Sequence, residues 1–479
     1  MEEAKHFIGN EWSAPAGGDT FAVIDPSDGQ PFARLARGNA ADIDQAVAAA
    51  RRAFDGAWGA LSAAERGRLL YRLALRVGAC HEELAQLEAR DTGKPLRQAR
   101  ADAAALARYF EFYAGAADKL HGETLPYQSG YTVFTIREPH GVTGHIVPWN
   151  YPMQIFGRSA GAALAAGNAC VVKPAEDACL SVLRVAGLAA EAGLPAGALN
   201  IVTGYGHEAG AALARHPGID HISFTGSPET GKLVTQMAAE NHVPVTLELG
   251  GKSPQIVFAD ADFDAALPAL VSAIVQNAGQ TCSAGSRVLI ERAAYEPLLD
   301  RLASAFSALR VGPSHADPDC GPLISAKQQQ RVWDFLSDAQ HDNIAMAAQG
   351  QVMPEAPESG FYQAPTLLRD VPPGHRLARE EVFGPVLAAL PFADEDDALT
   401  LANGTPYGLV AGVWTRDGAR QLRVARRLRS GQVFINNYGA GGGVELPFGG
   451  VKHSGHGREK GFEALYGFTV LKTVAIRHG

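Results

Sequence analysis

The chain is poor in cysteine. It has five in 479 residues: Cys80, Cys170, Cys179, Cys282 and Cys320. The number is odd and no two stand in a C-x-x-C spacing. This argues against a disulfide framework or a zinc site and fits a reducing, cytoplasmic compartment, where a lone thiol stays available for chemistry. No metal ion is expected. Positive charge is also scarce: 42 Lys and Arg against 51 Asp and Glu leave a net charge of −9. No basic stripe offsets it, so nucleic acid is not an expected partner. Long apolar runs are missing. "SAGAALAAGNACVV" (159–172) is too short and too glycine-rich for a membrane span. The start, "MEEAKHFIGNEW", lacks the basic and apolar regions of a secretory signal. There is no internal repeat and no low-complexity tract.

What is present is a globular composition, 46% hydrophobic and 19% charged, with length for roughly two to four domains. Residues 41–117 carry apolar positions at helical spacing, such as Leu69, Leu70, Leu73, Leu84 and Leu87. "YTVFTIREP" (131–139) is expected to form a strand. Then "GVTGHIVPWN", "NACVVKP", "LNIVTG", "DHISFTG" and "VTLELGG" alternate with helix-like stretches. Such alternation predicts a parallel sheet with helices on both faces, with ligands at the carboxyl ends of the strands. A second α/β stretch follows from about residue 252 to 450, and "FTVLKTVAIR" (468–477) closes the chain as a strand.

Two glycine motifs compete for a phosphate-binding role. "GYGHEAG" (204–210) is one residue off the dinucleotide fingerprint and serves equally well as a plain turn. In "FTGSPETG" (224–231), Ser227 suits an N-cap, Pro228 the first helical position and Glu229 the first turn. A helix N-terminus can hold an anion, or can simply be capped.

The motifs "PWN" (148–150), "KPAE" (173–176), "FTGS" (224–227), "LELGGKSP" (247–254), "GQTC" (279–282), "EEVFGP" (380–385) and "PFGGVKHSGHGRE" (447–459) together resemble the aldehyde dehydrogenase superfamily, of the NAD(P)-dependent, non-acylating kind. The resemblance covers essentially the whole chain. It implies an α/β fold with a Rossmann-like cofactor domain (1–120 and 140–250), a catalytic domain (251–450), and a small β oligomerisation arm with the C-terminal tail (121–139 and 451–479). A homodimer or homotetramer is expected. The resemblance places the pyrophosphate at Gly226 and Ser227 and puts Gly204 near the adenine. Lys173 and Glu176 match positions at the adenosine ribose, and Glu381 and Phe383 match positions at the nicotinamide end. Trp149 is expected near the phosphates. A carboxylate at 176 can accept both ribose hydroxyls and would repel a 2′-phosphate, so NAD is expected over NADP.

The chemistry of aldehyde oxidation fits these residue types. A thiolate adds to the aldehyde carbon, and the resulting alkoxide expels hydride far more readily than the aldehyde does. Cys282 is the candidate nucleophile. No Lys, Arg or His adjoins it in sequence, so help with ionisation must come from the fold or the cofactor. The Asn150 amide and the Cys282 N–H are candidate oxyanion donors. Glu248 is the candidate base for thioester hydrolysis, and the glycines after it are expected to let backbone approach a ligand. The alternative for Glu248 is a solvent-facing strand residue.

Tyr151, Gln154 and Arg158 are expected to face the substrate tunnel. Arg158 falls where semialdehyde dehydrogenases of the succinate type bind a carboxylate, but Gln276 stands where those enzymes carry a second arginine. The substrate is thus a semialdehyde with an acidic tail or a broader range of aliphatic and aromatic aldehydes. Glu459 is either a proton relay or a salt-bridged surface carboxylate. A CoA-acylating enzyme and a catalytically silent protein on the same scaffold are the rivals.

Overall fold

A computed structural model describes residues 2–439 and 443–478. The helical stretch near the start divides into Ala40–Phe54, Ala63–Ala79, His81–Thr92 and Leu96–Ala116. The alternating region forms the expected parallel sheet. Its central strands run, in spatial order, Val245–Glu248, His221–Thr225, Val142–Val147, Ala169–Pro174 and Leu199–Ile201, all parallel. From Val142–Val147 the chain winds outward to one side, then returns and winds to the other. The order therefore reverses between Val142–Val147 and His221–Thr225, and in such sheets the carboxyl ends of the strands at this switch point are where ligands bind. Pro148, Trp149 and Asn150 follow one of these ends, and Gly226 and Ser227 follow the other.

A second sheet, Met346–Gln349, Thr366–Leu368, Val386–Phe392, Arg287–Glu291, Pro254–Val257, Val410–Trp414 and Gln432–Ile435, carries its own apolar core. It is parallel except at the Met346–Gln349 edge. A third sheet pairs the tail strand Thr469–Arg477 antiparallel with Tyr131–Pro139 along nine residue pairs. Gly455–His456 pairs with Val245–Glu248 in the first sheet, and Ala464, Leu465 and Phe468 are buried in that sheet's core.

The helix Pro152–Ala166 is buried on nearly every side. Its small residues make this possible: a Cβ on Gly157 would stand 2.8 Å from Leu106, and Gly161 lies against Tyr113 and Phe110. The helix Leu96–Ala116 can therefore cross at close range, which brings residues 94–102 beneath the loop holding Asn150.

Candidate active site

The thiol sits on a loop whose backbone is forced. After the helix Phe263–Val275, residues Asn277, Ala278 and Gly279 take φ of 49°, 54° and 71°. This is the left-handed region, costly for the first two. Gly279 cannot be replaced without strain: a Cβ there would lie 2.2 Å from the carbonyl oxygen of Gly384. Hydrogen bonds hold the loop in this shape. The Asn277 N–H donates to Gln98 Oε1 (2.9 Å) and Asn277 Nδ2 to the Asn150 carbonyl (2.9 Å). Gln280 Nε2 donates to the Asn277 carbonyl (3.1 Å), and Gln280 Oε1 accepts the Ile324 N–H (2.9 Å).

Cys282 emerges from this loop half-buried beside a cavity of about 60 Å³ bordered by Asn150, Tyr151, Gln154, Arg158, Tyr438 and Phe448. Gln154, Ser272 and Gln276 also border a wider vestibule of about 1190 Å³. The vestibule is lined on one side by Leu267, Pro268 and Val271, with Arg108 and Glu445 ion-paired at 2.6 Å on its wall. An elongated molecule can thus lie in the vestibule with a slim end at the sulfur.

Asn150 is buried. Its Nδ2 donates one hydrogen to the Gln280 carbonyl (2.9 Å), which leaves the second amide hydrogen for another acceptor. Tyr151 and Gln154 border the cavity but are already engaged. The Tyr151 hydroxyl meets Thr281 Oγ1 at 3.0 Å, and Gln154 Nε2 donates to Asp102 at 2.6 Å. Beneath them Lys94, with no exposed side-chain surface, is ion-paired to Glu88 (3.0 Å) and Asp102 (2.5 Å). Burial alone would lower the ammonium's pKa, but Asp102 and Glu88 more than offset it and raise it. Breaking such a buried pair by removing one partner costs about 3–5 kcal/mol.

Glu248 is buried, so the solvent-facing alternative does not hold. Neither carboxylate oxygen has a hydrogen-bond partner among the described residues. Burial first, and then the nearby Glu459 charge, raise its pKa well above the usual carboxylate range. Gly449 packs over it: a Cβ there would lie 2.7 Å from Glu248 Oε1. The glycines after Glu248 differ from expectation, because what they admit is protein. Gly250 makes room for the Glu381 carboxylate, 2.3 Å from its would-be Cβ, and Gly251 for the Cys282 carbonyl, at 2.4 Å.

Burial pushes the Cys282 thiol up to about 12, with Arg158 as the opposing influence. Arg158 borders the cavity as expected, but its Nε is ion-paired with Glu459 and its guanidinium carbon lies 4.8 Å from the Phe448 ring centroid. A substrate carboxylate would have to compete with that buried ion pair. Glu459 is salt-bridged but not at the surface. It is fully buried and also accepts from Ser223 Oγ (3.1 Å).

The residues at the strand ends have the chemistry to hold a dinucleotide. Ser227 caps the helix Pro228–Ala239, with Pro228 at its first position, so the first turn presents N–H groups and a favourable dipole to a phosphate. Gly226 lies tight on the Phe224 ring, and Thr225 Oγ1 is buried without a partner among the described residues. Lys173 Nζ contacts Glu176 at 2.8 Å. Burial would raise the Glu176 pKa, yet Lys173 and nearby backbone N–H groups bring it below the usual range. Glu381 accepts the Gly251 N–H (2.9 Å), and burial pushes its pKa up to about 7. Trp149 and Phe383 meet edge to face, 5.4 Å between centroids. Gly204 is different: a Cβ there would stand 2.8 Å from the Gly38 carbonyl oxygen, so this glycine is already required by packing. "GYGHEAG" forms a single π turn, Gly206–Gly210, ahead of a five-residue helix, a poor cradle for phosphate.

Lys94, Asn277 and Tyr438 escaped the sequence reading. Tyr438, whose hydroxyl donates to the Ser283 carbonyl, and Lys94 come from distant segments. Their neighbours in sequence carry no sign of the site.

A family model described as the aldehyde dehydrogenase family matches residues 12–474. The NADP/NAD-dependent aldehyde dehydrogenase PuuC of Escherichia coli (strain K12) is 45% identical over 483 aligned positions, covering 99% of this chain and 96% of that protein. A solved structure from Burkholderia cenocepacia is 85% identical with a TM-score of 0.99, covering 99% of this chain and 100% of that one. The NAD+ complex of an aldehyde dehydrogenase from Bacillus cereus is 41% identical with a TM-score of 0.97, covering 100% of this chain and 97% of that one.

Proposed function

The chain belongs to the aldehyde dehydrogenase family, and from that premise we propose that Cys282, Asn150 and Glu248 carry out its oxidation of an aldehyde to a carboxylic acid. The observation that carries this reading joins three distant segments: a thiol on a pinned loop, an amide bonded to that same loop, and a buried carboxylate, its oxygens without a hydrogen-bond partner among the described residues, whose charge acts on the thiol. The Cys282 thiol gives up its proton to solvent, and the thiolate sulfur forms a bond to the aldehyde carbon as the carbonyl π bond breaks onto oxygen. The alkoxide that results accepts hydrogen bonds from Asn150 Nδ2 and the Cys282 N–H. NAD+, held at the strand ends by residues such as Ser227, Glu176 and Glu381, would supply the acceptor for the hydride that leaves this carbon as the alkoxide collapses. Cys282 then holds a thioester, Glu248 takes a proton from water, the water oxygen bonds to the acyl carbon, and the sulfur leaves as the acid departs. The burial that raises the Glu248 pKa also makes it a stronger base once ionised. Because the base must be ionised to act, deacylation accelerates as pH rises and levels off above the Glu248 pKa. Equal yields of acid and NADH without coenzyme A, unchanged when coenzyme A is added, support this reading over the acylating one. Formation of an acyl-CoA overturns it.

NAD is the preferred cofactor in this reading, because Lys173, the cation beside the ribose position, is already paired with Glu176. Glu176→Gln is expected to shift the ratio of kcat/KM for NAD over NADP toward NADP by at least about 10-fold. An unchanged ratio counts against the assignment. The oligomer is a dimer or tetramer joined through the arm. Thr469–Arg477 is an edge strand with Val470, Leu471 and Ile476 exposed, the kind of edge another copy can cover. The five unpaired cysteines support a reducing, cytoplasmic setting.

A further inference from the structure

We propose that Lys94 is a positioning residue for the reaction: it fixes the peptide of Asn150 so that the side-chain amide meets the developing oxyanion. The proposal rests on the reading above that Asn150 supplies that amide. Lys94 lies between the helices His81–Thr92 and Leu96–Ala116, with Gly93 (φ 76°) before it and Pro95 after it. Its ammonium has three hydrogens and three acceptors: Glu88 Oε1 at 3.0 Å, Asp102 Oδ2 at 2.5 Å and the Asn150 carbonyl at 3.0 Å. All its donors are thus committed, and its orientation is set. The Asn150 carbonyl accepts from Lys94 on one side and from Asn277 Nδ2 on the other (2.9 Å), so both lone pairs are used and the peptide plane cannot rotate.

The two carboxylates extend the clamp along the same turn. Glu88 Oε2 accepts the Met153 N–H (3.2 Å) and Asp102 Oδ1 accepts from Gln154 Nε2 (2.6 Å). Three anchors therefore grip residues 150, 153 and 154, at the entry to the helix Pro152–Ala166. The side chains that form this clamp lie under the turn: Lys94 and Glu88 are wholly buried. A buried charge cluster contributes little stability that well-packed apolar side chains could not replace. Orientation is what an apolar core could not reproduce here, and an oxyanion donor must be placed to a fraction of an ångström.

The test is a mutant cycle in the full-length enzyme. Lys94→Met with Asp102→Asn removes a cation and an anion together, so the net charge of the cluster does not change, although Glu88 loses its ammonium partner. Asp102→Asn alone is the control. The pair is measured with and without Asn150→Ala. The rate of the NADH burst, the rate of Cys282 alkylation by iodoacetamide, and the Kd for NAD+ are read for each protein. The expected result for the pair is a burst slowed about 10- to 100-fold relative to the control, with alkylation rate and NAD+ affinity within about twofold of wild type. In the Asn150→Ala background the pair is expected to slow the burst by no more than about a further twofold, since the amide it positions is gone. A full multiplicative loss there, an unslowed burst in the pair, or alkylation and NAD+ binding lost in step with the burst overturns the proposal. If Asn150→Ala itself leaves the burst at the wild-type rate, the oxyanion role of Asn150 has failed and this proposal falls with it. That outcome is distinct from a failure of Lys94 alone. Should the pair not fold, Lys94→Arg keeps the charge but not the three-pronged geometry, and it goes through the same cycle with the same criteria.

Discussion

Cys282→Ala is expected to lower turnover by about 10⁵-fold or more while NAD+ binds within about threefold of wild type. The sulfur is the only group the account gives a bond to the aldehyde carbon, and no neighbour can take its place. Asn150, Tyr151 and Thr281 are amide or hydroxyl groups, and the latter two bond to one another. The residues proposed to hold the cofactor belong to other segments, the ends of Val142–Val147, Ala169–Pro174 and His221–Thr225. Cofactor affinity should therefore survive loss of the thiol. Activity measured by NADH release and binding measured by calorimetry separate the two. Residual turnover near wild type would remove Cys282 from the mechanism. Lost NAD+ binding would mean that the loop Gln276–Gly279 and its contact with Gly384 had collapsed, so that Cys282 was being judged through the fold.

Glu248→Gln is expected to keep a stoichiometric burst of NADH and to slow the steady state by about 100-fold or more. The amide has nearly the shape of the carboxylate, so the oxidation step is preserved, but it cannot accept a proton from water. The burst and the steady state should also part company in pH. In the wild type the steady state is expected to climb with pH as Glu248 ionises, over a range above that of an ordinary carboxylate. In the variant that climb disappears. Loss of the burst itself would place Glu248 before the thioester, as the base for Cys282.

Much of the architecture was legible because local rules and tertiary structure agree. The Ser227-Pro228 cap, the strand at residues 131–139 and the alternation that builds the first sheet are written in turn chemistry and periodicity, whereas the pairing of that strand with the tail was implied by the resemblance alone. The site offered Cys282 as a candidate by residue type, and the resemblance supplied the role proposed for it. The site was not legible where long-range packing decides the role. Glu459 reads as a charged residue in a glycine-rich loop, yet it is buried against Arg158. Arg158 reads as a substrate arginine, and nothing in its own helix discloses that Glu459 is its partner. The glycines of "LELGG" read as ligand contacts because a sequence shows the missing side chain without showing what fills the space. Lys94 is the extreme case: its three acceptors lie 6, 8 and 56 residues away, beyond any local pattern.

The central claim is that acyl transfer passes through Cys282 and is released by Glu248. Mixing Glu248→Gln enzyme with NAD+ and an aldehyde, quenching in acid during the slow phase and mapping peptides by mass spectrometry tests it directly. The account predicts one acyl group per chain, carried by the peptide containing Cys282 and removed by hydroxylamine as a thioester should be. An acyl group on any other residue, or a completed NADH burst with no acyl group on the protein, would contradict it.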